Sequence, residues 1–441
     1  MQIPFSTYII NLKSRPDRKK AVLKEFKGKD EFRVTVVEAI SHEIGLIGLW
    51  QTMKHILKDL VHPEEEYILI CQDDHQFTEH YSYELLKECI TEAVNLDADI
   101  LLGGISWFQT TYQSSQHLYW IEKFSGLQFA IIFRKFFTPL LNLGLDDFNA
   151  GDYRISAFTD KKWVIHPYIS IQRDYGYSDV TSKNNKPEIV EKLFIQSDKV
   201  MQTLKGVAKH LRTITPQNGT DLIDVETITI PTFIINLPER KDRLAHIQRQ
   251  FQYRKEFDIT IVAAIKEPVG ALGLWQTIRN IITKAVQNDE DLVIICEDDH
   301  IFTEHYSKND FIRSVLTAHQ LGADLLIGGP SGGFAHILPV ADNLGWIDAF
   351  YGCQFMVVYK KMFPIILNEP FDVTVKADNL LSEIAVNKLS FQPFISVQKD
   401  FGYSDVNDDI RASRPINSIF DAAQKRFERV FSNFSTYGAG Y

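Results

Sequence analysis

The 441 residues contain two similar copies of one segment, and this internal repeat limits the possible folds more than any other feature. Ile9–Leu12 recurs as Ile234–Leu237, at a shift of 225 residues. Asp73–His75 recurs as Asp298–His300 at the same shift, and both copies then read Phe-Thr-Glu-His-Tyr-Ser one residue later. Further along the chain the shift becomes 226, so one net residue is inserted. The chain is therefore a tandem duplication of one ancestral segment.

A repeat of this length indicates two whole domains, because the units of solenoid proteins are only about 20 to 50 residues long. The hydrophobic fraction of 45% and the charged fraction of 24% are typical of a folded globular protein. A cluster of turn-forming residues at 216–220 marks a linker. We predict a first domain over 1–212 with a terminal helix, a linker over 213–227, and a second domain over 228–441 with a terminal helix.

Strand-like and helix-like segments alternate within each copy. In the first copy, Thr7–Leu12, Phe32–Val37 and Tyr67–Cys71 have the composition of strands, while Asp17–Phe26 and Leu49–Leu60 have apolar residues at helical intervals. Such alternation predicts an α/β fold in which helices flank a mostly parallel sheet. Each domain should begin with a nucleotide-binding half and continue into a more mixed half.

The charge and the apolar pattern exclude some classes of protein. The 57 acidic and 47 basic residues give a formal net charge of −10, which disfavours broad binding to nucleic acid. No apolar run reaches the roughly 18 residues of a membrane span, and the N-terminal residues lack the pattern of a secretion signal. The four cysteines show no metal-binding spacing, so we expect reduced thiols. These observations predict a cytoplasmic protein without a transmembrane segment.

Acidic residues follow the most apolar predicted strand of each copy. The first copy reads Gln72-Asp73-Asp74 at this point, and the second reads Glu297-Asp298-Asp299. Ligands of open α/β sheets bind at the carboxyl ends of strands. Mg²⁺ commonly uses one or two carboxylates together with substrate phosphates, and Mn²⁺ also suits oxygen ligands. The motif thus predicts a metal-bridged nucleotide diphosphate. The alternative is that these acids only cap a helix or line a solvated turn.

At these motifs the sequence resembles glycosyltransferase family 25, which includes the bacterial lipooligosaccharide galactosyltransferases and the collagen galactosyltransferases. The resemblance covers most of both copies. It rests on an Ile-Asn-Leu strand, an Arg-x-Asp-Arg element, a glycine-rich segment before a helix, and a Glu-Asp-Asp strand end. These are Ile10–Leu12, Arg15–Arg18 and Gly45–Trp50 in the first copy, and Ile235–Leu237, Arg240–Arg243, Gly270–Trp275 and Glu297–Asp299 in the second.

The resemblance implies two tandem GT-A-like domains that use a UDP-sugar donor, with galactose favoured, and Mn²⁺ or Mg²⁺. It also implies inversion at the anomeric carbon, a glycan or lipid-linked glycan acceptor, and a cytoplasmic location that includes peripheral attachment to the inner membrane. Two departures matter. Neither copy has the Ser-His pair that the family usually carries in its glycine-rich segment. The first copy has Gln72 in place of glutamate, so its site should bind a metal-nucleotide less well.

The implied roles can be assigned residue by residue. We expect Asp299 and Glu297, and Asp74 in the first copy, to hold the metal. The arginines could bind the diphosphate or flank the uracil, or they could simply begin an exposed helix. The paired glycines could admit the donor sugar or form a tight turn. The expected donor-binding residues are Arg240, Arg243, Glu297, Asp298, Gly328 and Gly329 in the second copy, and Arg15, Arg18, Gln72 and Asp73 in the first.

Inverting transfer needs a base that takes the proton of the acceptor hydroxyl. The candidates are Asp372 and Asp378 in the second copy and the matching Asp146 and Asp152 in the first. Asp378 could instead be only the N-cap of the helix that follows.

The leading hypothesis is a metal-dependent inverting glycosyltransferase with a catalytic second domain. The first domain could be active as well, could hold the acceptor, or could be degenerate. A non-catalytic protein that binds nucleotides or carbohydrates is a different class, supported by Gln72 and by the missing Ser-His pair. A nucleotidyltransferase lacks support because no glycine-rich basic loop follows the first strand. A glycosyltransferase acting on modified DNA is disfavoured by the negative charge. The oligomeric state stays open.

Overall fold

The protein is described by a computed structural model that covers residues 4–144, 151–176, 188–214, 224–370, 376–402 and 415–438. The chain divides into two compact units. Met1–Val207 together with Asn433–Tyr441 form unit 1, and Ala208–Ser432 form unit 2. The predicted domains, 1–212 and 228–441, differ from these units mainly at the C-terminal end, where the residues from Asn433 onward group with unit 1.

The strands of unit 1 follow the apolar and β-branched runs of its sequence. Tyr67–Gln72 is the clearest case, because four of its six residues are buried, as expected of a strand covered on both faces. The strands are β1 (Phe5–Asn11), β2 (Phe32–Glu38), β3 (Tyr67–Gln72), β4 (His75–Phe77), β5 (Ile100–Leu102), β6 (Trp107–Gln113), β7 (Leu118–Ser125), β8 (Phe129–Phe133), β9 (Lys162–Ile165) and β10 (Ser170–Gln172).

The helices of unit 1 lie between these strands. Pro16 begins the first helix, where its fixed φ angle and missing N–H are tolerated. The second helix continues into a π-helical turn over Ile56–Leu60. The helices are α1 (Pro16–Glu25), α2 (Gly45–His55), α3 (Tyr83–Asn95), α4 (Phe137–Asn142), α5 (Gly151–Phe158) and α6 (Ile189–Thr213), the last of which passes the boundary between the units.

Unit 2 repeats this succession of elements. Its strands are β11 (Ile230–Asn236), β12 (Phe257–Ala263), β13 (Leu292–Glu297), β14 (His300–Phe302), β15 (Leu325–Ile327), β16 (Ile337–Ala341), β17 (Leu344–Ile347), β18 (Phe355–Tyr359), β19 (Lys388–Phe391) and β20 (Ser396–Gln398). Its helices are α7 (Lys241–Phe251), α8 (Gly270–Gln287), α9 (Lys308–Gln320), α10 (Phe363–Asn368), α11 (Ala377–Ile384) and α12 (Ile416–Tyr437), which extends into the residues grouped with unit 1.

Each unit contains an eight-stranded sheet, and the two sheets have the same order. The order is β2-β1-β3-β8-β5-β9-β7-β6 in unit 1 and β12-β11-β13-β18-β15-β19-β17-β16 in unit 2. The pairings make six strands of each described sheet run in one direction, and only β7 and β8, or β17 and β18, run in the other. A two-stranded ribbon, β4 with β10 or β14 with β20, accompanies each sheet. The predicted α/β fold is confirmed.

The sheets place two polar strand ends side by side. Ile235 of β11 is paired in register with Glu297 of β13, so the next residues, Asn236 and Asp298, are neighbours at the carboxyl edge. β1 and β3 have the same register, with Ile10 opposite Gln72. Parallel strands that end together bring their following residues to one edge of the sheet, which is where ligands of α/β sheets bind.

The core explains several other features that the two copies share. Trp50 and Trp275 are buried in helices α2 and α8, so they belong to the packing. The four cysteines are buried and free, as their spacing predicted.

Among the described residues, no helix is both long enough and apolar enough to cross a membrane.

Candidate functional site

A cavity of about 880 Å³ opens at the carboxyl edge of the unit 2 sheet. Its walls come from the ends of β11 and β13, from the segment before α8, from the loop before β18, and from the start of α11. The charged residues of its lining are Glu239, Arg240, Arg243, Lys266, Glu267, Glu297, Asp298, Asp299, Lys376 and Asp378. This volume is within the range of ligand-binding sites, and the lining carries both signs of charge.

Asp298 is held inside the protein by one side chain from the end of β11 and one from the first turn of α7. Nδ2 of Asn236 donates to one carboxylate oxygen of Asp298 at 2.8 Å, and Nη1 of Arg243 donates to the other at 3.0 Å. Asp298 and Arg243 are both buried. Because both carboxylate oxygens have protein donors, Asp298 organises the site by fixing the Asn-Leu and Arg-x-Asp-Arg elements against the end of β13.

Asp299 and Glu297 bring further negative charge to the same place. Oδ2 of Asp299 lies 3.6 Å from Nη1 of Arg243, and the backbone oxygen of Asp299 accepts from the N–H of Lys399 at 2.7 Å. Burial, with the neighbouring charges of Asp299, Asp298 and Asp378, raises the pKa of Glu297 well above its ordinary value. A cation placed between Glu297 and Asp299 would relieve this repulsion.

The carboxylates at the end of β13 are few for a metal site made of protein ligands alone. Among the described residues, no three His, Cys, Asp or Glu side chains are grouped so that they could hold a metal ion. Mg²⁺ frequently binds through only one or two carboxylates and completes its shell with substrate phosphates. Glu297 and Asp299 fit that mode of binding, and Asp298 does not, because its oxygens are already hydrogen-bonded.

Positively charged residues line the same cavity as the carboxylates. Arg240 lies at the N-cap of α7, and Lys376 lies at the N-cap of α11. Lys266 comes from the segment before α8, and its Nζ lies 2.5 Å from Oε1 of Glu239 in an exposed ion pair. Arg243 faces the cavity as well, but it is committed to Asp298 and its guanidinium lies 4.7 Å from the centre of the Phe401 ring. Arg243 therefore has a structural role, which sets it apart from the cavity cations Arg240, Lys266 and Lys376.

Asp378 lines the cavity at the start of α11. One carboxylate oxygen accepts from the N–H of Gly352 at 3.1 Å, and the other accepts from the N–H of Asn379 at 2.9 Å. Lys376, and not Asp378, occupies the N-cap position of α11. Asp378 thus ties the helix to the loop before β18 while its carboxylate borders the cavity. Asp372 and Asp146, the other candidate bases, lie outside the described residues.

Gly328 and Gly329 have a packing role in the structure. A Cβ atom on Gly329 would overlap with the backbone oxygen of Ser396, and one on Gly328 would lie 2.7 Å from the Ser396 side chain. Nε2 of Gln354 also donates to the Gly329 oxygen at 2.5 Å. Neither glycine is among the described residues that line the cavity. The close approach of β20 explains why glycine is present here, and access of a donor sugar to these two residues stays a prediction.

Unit 1 keeps the contacts that asparagine and arginine make with the first aspartate of the motif, but it has fewer charged residues at the matching positions. Asn11 donates to Asp73 at 2.7 Å, and Arg18 lies 3.5 Å from the other oxygen of Asp73 and 4.5 Å from the Tyr175 ring centre. Burial and the charge of Asp73 raise the pKa of Asp74 to about 7. Oδ1 of Asp74 is buried without a hydrogen-bond partner among the described residues.

Asp152 also repeats the role of Asp378. One oxygen of Asp152 accepts from the Ser125 hydroxyl at 2.8 Å and from the Gly126 N–H at 3.1 Å. Burial raises the pKa of Asp152.

Besides Gln72, three further positions separate the two sites, and the sequence motifs did not point to them. The cavity residues Glu239, Lys266 and Lys376 correspond to Ser14, Ser41 and Ala150 in the first copy, at the shifts of 225 and 226 residues. Glu297 corresponds to Gln72. Comparison of the two copies position by position could have found these differences, but only the structure shows that all four positions of the second copy border one cavity. Arg15, which matches Arg240, lies at the N-cap of α1.

Comparisons with known proteins give no close relative. No protein family matches the sequence, and no curated protein matches it significantly. The resemblance to glycosyltransferase family 25 is therefore not confirmed.

Solved structures show remote similarity. The protein A197 from STIV is 13% identical and has a TM-score of 0.27, over 40% of this chain and 87% of that one. Apo UDP-glucose pyrophosphorylase is 8% identical and has a TM-score of 0.27, over 46% of this chain and 82% of its own. Mannose-1-phosphate geranyltransferase from Thermus thermophilus is 9% identical and has a TM-score of 0.21, over 73% of this chain and 99% of its own. No function is inferred from similarities at this level.

Proposed function

We propose that unit 2 is a metal-dependent glycosyltransferase that moves a sugar from a nucleotide diphosphate donor to a hydroxyl acceptor. The observation that carries the proposal is the cavity at the carboxyl edge of the sheet, where Glu297 and Asp299 lie among the cations Arg240, Lys266 and Lys376. Unit 1 keeps the framework of the site but lacks three of these charged side chains, so the catalytic role belongs to unit 2.

The cations suit a donor that carries two phosphates. A diphosphate has several negative oxygens, and arginine and lysine side chains bind such oxygens by charge-assisted hydrogen bonds. Arg240 and Lys376 both lie at helix N-caps, where backbone N–H groups also favour anions. Lys266 is held near Arg240 by its ion pair with Glu239. A negatively charged leaving group would be stabilised by the same groups as its charge develops.

The carboxylates supply the other half of the donor site. Glu297 and Asp299 would hold Mg²⁺ or Mn²⁺ through their oxygens, and a bound cation would neutralise charge on the diphosphate. Asp298 would keep Arg243 and Asn236 in place beneath them. Glu297 could instead accept a hydrogen bond from a ribose hydroxyl, because its side chain borders the cavity.

Asp378 is the proposed base, because the start of α11 brings its carboxylate to the cavity, separate from the acidic residues at the end of β13. In the transfer, the acceptor oxygen forms a bond to the anomeric carbon while the bond from that carbon to the diphosphate oxygen breaks. The acceptor proton passes to Asp378, and the diphosphate leaves with the electron pair of the broken bond. Attack opposite to the leaving group inverts the anomeric carbon.

The finer assignment follows the sequence resemblance. A UDP-sugar donor, a galactose-type sugar and a glycan or lipid-linked glycan acceptor are what the resemblance to glycosyltransferase family 25 implies. Experiments distinguish two alternative functions from this one. A protein that only binds nucleotides would retain UDP binding without turnover, and a glycosyltransferase specific for modified DNA would need a DNA acceptor for transfer.

Calorimetry with UDP and Mn²⁺, followed by a panel of UDP-sugars, tests the proposal on the full chain. Asp299→Asn should reduce UDP affinity in the presence of Mn²⁺ by about tenfold or more, and it should abolish the hydrolysis or transfer of the best UDP-sugar. Asp258→Asn is the control, because Asp258 is an exposed carboxylate of β12 that does not line the cavity. Unchanged binding and turnover in Asp299→Asn would overturn the proposal.

A further inference from the structure

The two copies differ in aromatic residues where α5 lies against β7 in unit 1. In unit 1, Trp107 pairs with Ser125 across β6 and β7. In unit 2, the matching Gly332 forms a bridge with Tyr351. The N–H of Ser106 donates to the Ser125 oxygen at 2.9 Å, as the N–H of Ser331 donates to the Tyr351 oxygen at 3.0 Å. Trp107 therefore stands where unit 2 has a glycine.

The same comparison identifies a second aromatic residue. Tyr153 follows Asp152 in α5, and the matching residue after Asp378 is Asn379. Asn379 lines the unit 2 cavity, as do Tyr351, Gly352 and Asp378. Tyr153 therefore occupies the position in unit 1 that Asn379 occupies in unit 2. Two positions that are a glycine and an asparagine in unit 2 thus carry a tryptophan and a tyrosine in unit 1.

The two rings touch each other and remain open to solvent. Their centroids are 5.8 Å apart with an interplanar angle of 72°. Trp107 is 39% exposed and Tyr153 is 42% exposed, although large aromatic side chains in a fold of this size usually become buried. Ring packing of this edge-to-face kind holds the pair in a fixed geometry. An aromatic pair that is both ordered and exposed is a preformed apolar surface.

Polar groups border this surface. The carboxylate of Asp152, one residue before Tyr153, is held by the Ser125 hydroxyl and by the Gly126 N–H. Ser125 is also the residue opposite Trp107 in the β6–β7 pair. The aromatic pair and the Asp152 carboxylate therefore lie close together, where the end of β7 meets the start of α5. Aromatic surfaces beside a few oriented polar groups are typical of sites for small polar molecules.

The first copy has fewer charged residues at the positions that line the unit 2 cavity. The cavity cations Lys266 and Lys376 correspond to Ser41 and Ala150 in the first copy, and Glu297 corresponds to Gln72. A diphosphate would find fewer cations here, whereas an uncharged ligand does not need them. The loss of charge and the gain of aromatic surface point to the same change of ligand.

We infer that unit 1 binds a neutral saccharide, with a pyranose ring packed on Trp107 and Tyr153 and a sugar hydroxyl hydrogen-bonded to Asp152. The C–H bonds on one face of a pyranose are apolar and slightly positive, so this face packs against the electron-rich face of an aromatic ring. The hydroxyl groups at the rim of the sugar donate to carboxylates. The binding site does not depend on the proposed function, and only its reading as a site for the acceptor glycan rests on that function.

Saturation-transfer NMR on the full chain tests the inference. The probes are methyl β-galactopyranoside, methyl α-glucopyranoside, lactose and maltotriose, with no nucleotide or metal present. At least one probe should bind, and Trp107→Ala should weaken its binding by about tenfold or more, because each aromatic contact contributes both area and ring packing. Trp107→Phe, which keeps an aromatic ring, should restore part of the binding.

Tyr253→Ala is the matched control, because Tyr253 is 85% exposed and lies in unit 2 away from the cavity lining. It should leave saccharide binding unchanged. Calorimetry with UDP and Mn²⁺ on Trp107→Ala distinguishes this inference from the proposed function, since UDP binding to unit 2 should not change. The inference is wrong if none of the four saccharides binds, if Trp107→Ala binds them as tightly as the native chain, or if Tyr253→Ala weakens binding equally.

Discussion

Arg243 and Asp298 form a buried ion pair, with Nη1 of the arginine 3.0 Å from Oδ1 of the aspartate. The two residues are 55 positions apart in the sequence. Arg243 belongs to the first turn of α7, and Asp298 follows the end of β13. This pair links two motifs that look like independent ligand-binding elements in the sequence. Asp298 therefore has a structural role, unlike Glu297 and Asp299, the other two acidic residues at the end of β13.

Removing one partner of this pair should be costly. Asp298→Ala leaves the Arg243 charge buried near Asp299 alone, and we expect the free energy of unfolding to fall by about 3 to 5 kcal/mol. The double variant Arg243→Met with Asp298→Ala should lose less than Asp298→Ala does, since the Arg243 charge no longer stays buried without Asp298. Urea denaturation of the full chain, followed by circular dichroism, measures both. Equal or larger loss in the double variant would contradict the role of Asp298 as the partner of Arg243.

Gly273 controls the position of the cavity wall. A Cβ atom at Gly273 would overlap with the backbone oxygen of Ile265, next to the cavity residue Lys266. Gly273→Ala should therefore displace the segment before α8, lower the stability by about 1 to 3 kcal/mol, and weaken UDP binding. Thermal unfolding and calorimetry with UDP measure the two effects.

Gly206→Ala is the control for this substitution. Gly206 lies in α6, is exposed, and has nothing within 4 Å of an added Cβ atom. Because alanine favours the helix, this change should stabilise the chain by up to about 1 kcal/mol and leave UDP binding unchanged. If both variants behave alike, the contact at Ile265 does not explain the glycine at position 273.

Binding of Mn²⁺ with UDP should strengthen as the pH rises and Glu297 loses its proton. The pKa of Glu297 is raised by burial and by the charges of Asp299, Asp298 and Asp378, so its proton is retained at pH values where a free glutamate has lost it. A proton on Glu297 competes with the cation. We expect the affinity to increase by up to about tenfold per pH unit while Glu297 titrates.

Calorimetry at pH 6, 7 and 8 checks this dependence. Glu297→Gln should bind the cation more weakly at pH 8 and should show a much flatter profile, because glutamine has no proton to lose. A native profile that does not change with pH, or a Glu297→Gln profile as steep as the native one, would exclude Glu297 as the titrating group.

Asp74 should make unit 1 less stable at high pH. Its pKa is raised to about 7 by burial and by the charge of Asp73, whereas an unfolded aspartate titrates near 3.9. The folded chain therefore holds a proton that the unfolded chain has lost, so stability falls as the pH rises from about 4 to about 7.

Asp74→Asn tests this dependence because asparagine resembles the protonated acid. The substitution should stabilise the full chain at pH 8 by about 1 kcal/mol or more and should have little effect at pH 4. Urea denaturation in the presence of a chelator, at both pH values, gives the comparison. A gain that is equal at pH 4 and pH 8 would show that the Asp74 charge is not the cause.

Several features follow from local sequence patterns. The tandem repeat, the alternation of strands and helices, and the position of the acidic residues after β3 and β13 could all be predicted, because apolar periodicity and turn residues act over a few positions. The α/β fold follows from the same patterns. The reversed strands β8 and β18 could not be predicted, since a strand's sequence does not record the direction of its neighbours.

The sequence alone determined that this chain is a duplicated α/β protein with polar residues at the ends of two buried strands. Only the tertiary structure decided how those residues are used. It joined Asp298 to Asn236 and Arg243, which are 62 and 55 positions away, left Glu297 and Asp299 facing the cavity, and brought Lys266 and Lys376 to the same walls. It also placed Trp107 beside Tyr153. The reason is physical: secondary structure depends on local spacing, whereas hydrogen bonds and ion pairs between distant residues depend on strand order and register.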